Sequence, residues 1–410
     1  MTIVFVNRFA HPDHSATSQV LSDLAAVMVE RGLPVAMVAS RQRYDDPAAR
    51  LPARESWRGV EIHRIWTSQF GRGHLIGRAL DYLTFYLSLP AALWRVLGSG
   101  DVLVAKTDPP LVGLLVAVVA KLRGASLVNW LQDVFPEVAV SLGQPRLPKA
   151  MVRVLKWLRN RTLRQASMNV VIGSRMGEYL VSQGVDKSRV RVIPNWAHEE
   201  VIQPMPTGSS NLRRRQGLLQ DDFVVAYSGN LGRAHDINTL YDAAEQLRTH
   251  ADVVFLVIGG GYGYQRLRVR AEAAGLHTMR FLPYQKLGDL SDSMAAADLH
   301  LVSLLPELEG LIVPSKFYGI AAASRAVGFI GDPDGELSRL IAEGECGFSI
   351  SPGRGDLLAG AIEDLKSDPE RCRDSGVRAR VMLDRKFSRN SAHADWHGVL
   401  LWIVQNGYNR

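Results

Sequence analysis

Cysteine is scarce in this sequence: Cys346 and Cys372 are its only two among 410 residues. Two cysteines cannot build the disulfide framework of a small secreted domain, and they suit a reducing compartment. Long apolar runs are missing as well. The strongest one, residues 111–120, ends at Lys121 and is too short to cross a bilayer. The amino terminus lacks the basic start and long apolar stretch of a signal peptide. Together these absences predict a cytoplasmic protein.

Low-complexity segments and internal repeats are also absent, which argues against a fibrous or solenoid architecture. Instead, the composition of 47% apolar and 22% charged residues is that of an ordinary globular protein. A chain of 410 residues is too long for a single hydrophobic core. The net charge of +7 predicts a polyanionic partner: nucleic acid, anionic lipid or a phosphorylated substrate.

The order of apolar segments predicts two successive α/β domains. Helical spacing lies between the predicted strands, which is typical of parallel sheets covered by helices. Strands are predicted in the first half at residues 2–9, 34–40, 60–66, 102–106, 126–131, 168–172 and 190–193, and in the second half at residues 223–228, 253–258, 279–282, 299–304 and 326–329.

A linker is predicted at residues 194–215, which are rich in Pro, Gly, Ser and Arg. We therefore expect an N-terminal domain at residues 1–200 and a C-terminal domain at residues 216–391, both doubly wound and Rossmann-like. A last helix at residues 392–410 is expected to pack back on the first domain. Such domains bind ligands at the carboxyl ends of their strands, so a cleft between them is the expected active site.

One segment at a strand end has the residue types that bind phosphate. Residues 228–233, Ser-Gly-Asn-Leu-Gly-Arg, join a predicted strand to a helix. Gly229 and Gly232 let a ligand approach the backbone beside Asn230, and Arg233 offers a bidentate fork to a diphosphate. The structural alternative is an ordinary glycine turn with a solvated arginine.

A second such segment is Pro314-Ser315-Lys316, which begins a predicted helix. A cation in the first turn opposes the helix dipole, so bound phosphate explains Lys316 better than a structural role does. By contrast, residues 259–263, Gly-Gly-Gly-Tyr-Gly, lack the spacing of a dinucleotide-binding fingerprint and predict a tight turn.

Three carboxylates are candidates for sugar contacts. Asp133 and Glu137 follow a predicted strand of the first half, where they either position an acceptor hydroxyl and take its proton or cap a helix. Glu309 lies in the loop before Lys316, where it either accepts hydrogen bonds from a donor sugar or is merely solvated.

The first predicted strand-to-helix loop contains His11, Asp13, His14 and Ser15. Their spacing is too compressed for a familiar metal site. Hydrogen bonding to an acceptor, through His14 and Ser15, is therefore the favoured interpretation.

The positive charge is concentrated in residues 146–164, which contain no acid and in which apolar residues alternate with the cations. A basic amphipathic helix of this kind favours an anionic membrane surface over a merely solvated face. The cations are Arg146, Lys149, Arg153, Lys156, Arg159, Arg161 and Arg164.

Taken together, these motifs resemble family 4 retaining glycosyltransferases of the GT-B fold, over essentially the whole chain. The resemblance is closest to the bacterial branch that builds surface polysaccharides and O-antigens, including the fucosamine transferases. It is carried by residues 11–17, 132–137, 192–196, 229–234, 314–318 and 345–347.

The resemblance implies that the second domain binds a nucleotide-sugar donor, that the first binds the acceptor, and that neither a divalent metal nor a cofactor is needed. It implies that Arg233 and Lys316 hold the donor diphosphate. It further implies that Leu282 and Tyr284 lie against the base, and that Glu309 lies near the sugar.

The sequence departs from the family pattern in the first loop, where Ser15-Ala16-Thr17 replaces the usual Gly-Gly, and at two places in the second half. Gly319 stands where many members have the second glutamate of a Glu-x7-Glu motif, which removes the expected ribose contact. Asn230 and His235 stand where an Arg-x4-Lys pair is frequent, so Arg233 must supply charge from a shifted position.

The resulting prediction is a retaining, metal-independent transferase that uses a nucleotide-diphosphate sugar, with UDP preferred. Lys316 and Arg233 would stabilise the leaving group, and Asp133 would orient the acceptor. We expect a polyprenyl-diphosphate-linked glycan acceptor, a peripheral position at the inner face of the plasma membrane, and no nucleic-acid partner. The alternatives are a nucleotide-sugar 2-epimerase and a non-catalytic nucleotide-sugar-binding protein.

Overall fold

A computed structural model describes residues 1–13, 15–44, 46, 48–71, 75–143, 148–197 and 201–407. The chain divides into two compact units. The first comprises Met1–Pro194 with Ala392–Arg410, and the second comprises Asn195–Ser391. Among the described residues, no helix combines the length and apolarity needed to cross a membrane.

The first unit is built on a sheet in which eight described strands have the order β3-β4-β2-β1-β5-β6-β7-β8. The strands are parallel except for the β3–β4 pair. Their sequences are mostly continuous apolar runs because both faces of the sheet are covered. Their bounds are β1 Ile3–Val6, β2 Val35–Ser40, β3 Arg54–Trp57, β4 Val60–Ile65, β5 Val102–Lys106, β6 Ser126–Leu131, β7 Met168–Val171 and β8 Val190–Val192.

The helices of the first unit connect successive parallel strands, so right-handed crossovers place α2, α3 and α5 on one face of the sheet. In agreement with this, α3 packs against both α2 and α5. The helices are α1 Ala16–Glu30, α2 Leu75–Val96, α3 Val112–Arg123, α4 Glu137–Ser141, α5 Lys149–Gln165 and α6 Ser174–Ser182.

The second unit is built on a sheet whose six described strands are all parallel, in the order β11-β10-β9-β12-β13-β14. The central β9, β10 and β12 contribute Val225, Phe255 and Leu301 to a buried core. The strands are β9 Phe223–Asn230, β10 Val253–Gly260, β11 Met279–Leu282, β12 Leu299–Ser303, β13 Ala326–Ile330 and β14 Gly347–Ile350.

Helices cover this second sheet, and the last of them continues into the first unit. They are α7 Asn211–Arg215, α8 Asn238–Gln246, α9 Tyr262–Ala274, α10 Leu290–Ala295, α11 Lys316–Ala322, α12 Glu336–Gly344, α13 Gly355–Ser367, α14 Pro369–Lys386 and α15 Arg389–Gly407.

The second unit begins earlier than the predicted boundary at residue 216. Ser210 accepts a hydrogen bond from the Arg213 amide and so caps α7. The buried Arg213 guanidinium lies 3.3 Å from Asp298. These contacts integrate residues 210–215 into the second unit, although their Ser- and Arg-rich composition predicts a linker.

Candidate functional site

The carboxyl ends of β9 and β10 come unusually close at one edge of the second sheet. Gly229 pairs with Gly259, and their φ angles are 114° and 133°, a region that side chains rarely tolerate. A side chain on Gly259 would also collide with the Gly229 carbonyl. Backbone packing therefore accounts for the glycine run at 259–263, and Gly229 leaves the edge of the sheet open.

Lys316 lies directly over this opening. A Cβ atom on Gly229 would be 3.2 Å from its Cε atom. The ammonium is 3.4 Å from Nε2 of His235 and 5.1 Å from the centre of the Tyr227 ring. Burial lowers the pKa of Lys316 to about 8, because the charged form loses hydration. Lys316 makes no salt bridge within the described part of the chain, so its charge is available to an anionic ligand.

His235 orients this ammonium. Its Nδ1 atom is 2.6 Å from the Ser303 carbonyl oxygen. A carbonyl can only accept, so Nδ1 carries the proton and Nε2 accepts a hydrogen bond from Lys316. Burial, followed by the charge of Lys316, lowers the pKa of His235 to about 3, which keeps the ring neutral. His235 therefore fixes the lysine without neutralising it.

Arg233 lies in the loop that follows β9, and it is exposed. Its guanidinium carbon is 3.7 Å from the centre of the Tyr262 ring. This stacking restricts an otherwise mobile side chain. Asn230 ends β9 and is likewise exposed, and Gly232 lies between the two.

A pocket of about 200 Å³ opens beside Lys316. It brings together Gly229, Lys316 and Tyr284, which the sequence predicts as site residues, and it includes Gly319. Leu282, which the sequence also predicts, does not line this pocket. Its carbonyl accepts a hydrogen bond of 3.2 Å from the Tyr264 hydroxyl. The remaining lining residues are Ser228, Ile258, Gln285, Leu290, Ser293, Met294, His300 and Ile320.

Among the lining residues that the sequence does not predict as site residues, two have an unsatisfied polar atom. Ser228 Oγ and His300 Nδ1 are buried and make no hydrogen bond to any described residue. Nε2 of His300 lies 2.9 Å from the Met294 carbonyl, which fixes its proton there and leaves Nδ1 as an acceptor. Burial lowers the pKa of His300 to about 4, so it stays neutral. A polar residue inside an apolar strand was the sequence signal for it.

Besides Leu282, Asn230, Gly232 and Arg233, three further predicted donor residues do not line this pocket. Glu309 accepts a hydrogen bond of 2.8 Å from the Glu336 amide and so caps α12. It is half-buried, unlike the solvated loop carboxylate considered as its alternative. Pro314 and Ser315 precede α11, and the Ser315 side chain does not cap it.

In the first unit, Asp133 follows β6 and lines a small cavity of about 50 Å³ together with Lys106, Thr107 and Asn129. Its buried Oδ1 atom makes no hydrogen bond to a described residue. Burial raises the pKa of Asp133 to about 6, against a hydrogen bond from Thr107. A carboxylate with a pKa near neutrality can take up a proton, which suits the predicted acceptor role.

Glu137, predicted to contact the acceptor, makes structural contacts within the first unit. Its buried carboxylate is 2.7 Å from Arg159 and 3.3 Å from Lys156, and it accepts a hydrogen bond from Tyr179. The carboxylate is thus engaged by α5 and α6, and its acceptor role stays a prediction. Although residues 146–164 contain no acid, Lys156 and Arg159 of this segment therefore have a partner in Glu137.

Two predicted residues lie outside the described residues: His14 of the first loop and Arg146 of the basic segment. Ser15 precedes α1, and its buried Oγ atom makes no hydrogen bond to a described residue. Within the described ranges, no cluster of three or more His, Cys, Asp or Glu side chains could hold a metal ion. The expectation that no metal or cofactor is needed stays a prediction.

Comparison with known proteins places this geometry in a family. A Glycosyl transferase 4-like domain matches residues 15–196, and a Glycosyl transferases group 1 domain matches residues 209–382. The two Rossmann-like domains with parallel sheets, together with these two matches, define a glycosyltransferase of the GT-B fold. By both of its domains, the chain belongs to the family 4 glycosyltransferases.

Individual relatives agree with this assignment. The chain is 29% identical over 270 residues to Probable glycosyltransferase WbjE of Pseudomonas aeruginosa, covering 65% of this chain and 66% of that protein. It is 29% identical over 226 residues to WcaI of Escherichia coli (strain K12), whose name refers to colanic acid biosynthesis, covering 54% and 55%. The matches thus span between about half and two thirds of these relatives' lengths.

A solved structure with the same fold contains a nucleotide. HepE of Anabaena, in complex with UDP and glucose, matches with a TM-score of 0.72. The match covers 98% of this chain and 99% of that chain, at 19% identity. At this identity the likeness shows the fold alone.

Proposed function

We propose that the chain is a retaining, metal-independent transferase that moves a sugar from a nucleotide-diphosphate donor to a glycan acceptor. The observation that carries the proposal is the Lys316 ammonium, held by neutral His235 over Gly229 with no described carboxylate bonded to it. A fixed cation of this kind stabilises the negative charge that grows on a leaving diphosphate. Arg233 is proposed to share this role.

The adjoining pocket is proposed to hold the nucleoside of the donor. The exposed ring of Tyr284 offers a face for the base. The free Nδ1 acceptor of His300 suits an N–H group of a base or a ribose hydroxyl. Gly319 lines the same pocket, so the glutamate carboxylate that many family members have at this position is absent from it. UDP bound to the similarly folded HepE supports a UDP-linked donor.

In the proposed reaction, an acceptor hydroxyl oxygen bonds to the anomeric carbon on the face from which the diphosphate leaves. The bond between that carbon and the phosphate oxygen breaks, and its electron pair stays on the diphosphate. The hydroxyl proton passes to the departing phosphate. Attack and departure on one face retain the configuration, and Asp133 is proposed to orient the acceptor hydroxyl.

The acceptor is proposed to be a polyprenyl-diphosphate-linked glycan at the inner face of the plasma membrane. The exposed Arg153, Arg161 and Arg164 of α5, with Trp157 beside them, support contact with an anionic lipid surface. The name of the relative WcaI, which refers to colanic acid biosynthesis, supports a role in surface polysaccharide synthesis. Within that process we propose O-antigen synthesis for this chain.

The test measures sugar transfer from UDP-sugars to a bacterial lipid extract. Lys316→Ala should lower kcat/KM by roughly a hundredfold or more, since one lost donor to a developing oxyanion has about that effect. Its melting temperature should stay close to that of the wild type. Lys187→Ala, at an exposed lysine of the first unit, is the matched control and should transfer normally.

Near-normal turnover by Lys316→Ala would contradict the proposed site. Conversion of the donor without any acceptor would instead support an epimerase. Donor binding without transfer to any extract would support a nucleotide-sugar-binding protein.

A further inference from the structure

The outer face of α2 carries an apolar stripe that the functional site does not use. Ile76, Leu80, Leu83, Leu87 and Trp94 are all exposed, by 39% to 77% of their surface. Their spacing of three, four or seven residues places them on one face of the helix. At the rise of an α-helix, the stripe is about 27 Å long.

Exposed charge is missing from this stripe. Between Arg78 and Arg95 the sequence contains one charged residue, Asp81. Asp81 is fully buried and lies 3.3 Å from Arg8. The opposite face of α2 packs into the core of the first unit. α2 is therefore apolar on both faces, whereas a helix that borders water normally has a polar outer face.

The neighbouring helices extend the same surface. α3 packs against α2 and against α5. α3 exposes Val118 and Leu122, and α5 exposes Met151, Val154 and Trp157. Three adjacent helices thus expose large apolar side chains on one face, and such continuous patches mark interaction surfaces.

The charge around these apolar residues identifies the partner. Two basic residues lie in α2, two in α3 and six in α5, of which Arg159 is buried and paired with Glu137. Asp81 is the one acid in the three helices. A second copy of the chain docked through the same surface would oppose like charges, which disfavours self-association. An anionic bilayer complements both features, because its headgroups attract the cations and its interface accepts the apolar side chains.

We propose that α2, α3 and α5 lie in the plane of an anionic membrane leaflet, with the α2 stripe inserted at the acyl boundary. Trp94 ends the stripe with the amphipathic ring that favours this interface, and the Arg123 guanidinium lies 5.1 Å from the ring centre. The inference rests on the membrane partner in the proposed function. It goes further by assigning insertion to α2, not electrostatic attraction to α5 alone.

The test is flotation of the whole chain with phosphatidylglycerol–phosphatidylcholine vesicles, without donor or acceptor. Leu83→Ser combined with Leu87→Ser should weaken partitioning by roughly tenfold or more, because two large apolar side chains no longer leave water. The matched control combines Val269→Ser with Leu357→Ser, at exposed helical positions of the second unit. It should bind like the wild type.

A second measurement does not depend on how well the double variant folds. Leu87→Cys carries a polarity-sensitive dye, since the native Cys346 and Cys372 are buried and are poor targets for labelling. On vesicles its emission should shift to the blue and be quenched by spin-labelled acyl chains. The same dye at Val269→Cys should stay in water.

Unchanged binding by the stripe variant, or a dye at position 87 that stays in water on bound protein, would overturn the proposal. A solution dimer that the stripe variant dissociates, without vesicle binding, would assign the stripe to a second copy instead. Since no sugar transfer is measured, failure of the proposed transferase activity would leave this result unaffected.

Discussion

At the scale of single residues, the site depends on how the fold controls the charge of Lys316. A lysine beside a carboxylate would be neutralised, and a fully hydrated lysine would be mobile. Here a neutral imidazole accepts the hydrogen bond, and the Ser303 carbonyl fixes the tautomer that can do so. The result is a positioned cation whose charge depends on pH near neutrality.

The pH dependence of transfer should report this lysine. Its pKa is lowered to about 8, so the protonated form that holds a diphosphate is present below that pH and is lost above it. We expect kcat/KM to fall tenfold per pH unit on the alkaline side of this pKa. Lys316→Arg keeps its charge throughout. Its profile should lack this alkaline fall, and persistence of the fall would assign it to another group.

At the scale of secondary-structure elements, Glu137 joins α4 to α5 and α6. Burial alone would raise the pKa of Glu137. The charge of Arg159, with hydrogen bonds from Tyr179 and Arg159, outweighs burial and leaves the pKa below its usual value. Such a carboxylate stabilises the fold above the unfolded pKa, and this stability is lost as the pH falls through the lower, folded pKa.

Replacement of Glu137 separates this structural role from an acceptor role. Glu137→Gln leaves the Arg159 guanidinium buried without its counter-charge, which costs about 3–5 kcal/mol in comparable cases. We expect a clear loss of stability in urea unfolding at neutral pH and little change in kcat for the folded fraction. Glu178→Gln, on an exposed glutamate of α6, is the control. A fall in kcat with unchanged stability would instead support the predicted acceptor role of Glu137.

Sequence patterns predict those strands that are encoded by a local run of apolar residues. The apolar runs at 102–106, 126–131 and 279–282 coincide with β5, β6 and β11. β3 was missed because this edge strand, Arg-Glu-Ser-Trp, is half exposed and has no apolar run. Contacts between side chains that are distant in sequence cannot be predicted from such local patterns. Glu137 meets Arg159 and Tyr179 across 22 and 42 residues.

At the scale of the whole molecule, the chain returns to its first unit after completing the second. α15 brings Trp396, which is fully buried, against Trp130 of β6, with 4.6 Å between the ring centres. Arg31 of α1 donates a hydrogen bond of 3.0 Å to the His393 carbonyl. The first unit therefore completes its core with residues that are nearly 400 positions away from its first strand.

Because α15 packs into the core of the first unit, a substitution in α15 can destabilise that unit while leaving the second unit folded. Trp396→Ala should destabilise the first unit by about 3–5 kcal/mol, the usual cost of removing a buried tryptophan. Trp402→Ala is matched in residue type and in helix, but its side chain is 47% exposed, so it should change stability far less. Calorimetry should show a lower transition for the first unit in Trp396→Ala alone. UDP titration should show nucleotide binding unchanged in both variants, because the proposed nucleotide pocket lies within the second unit. Loss of UDP binding in Trp396→Ala would show that the second unit depends on the first for its own fold.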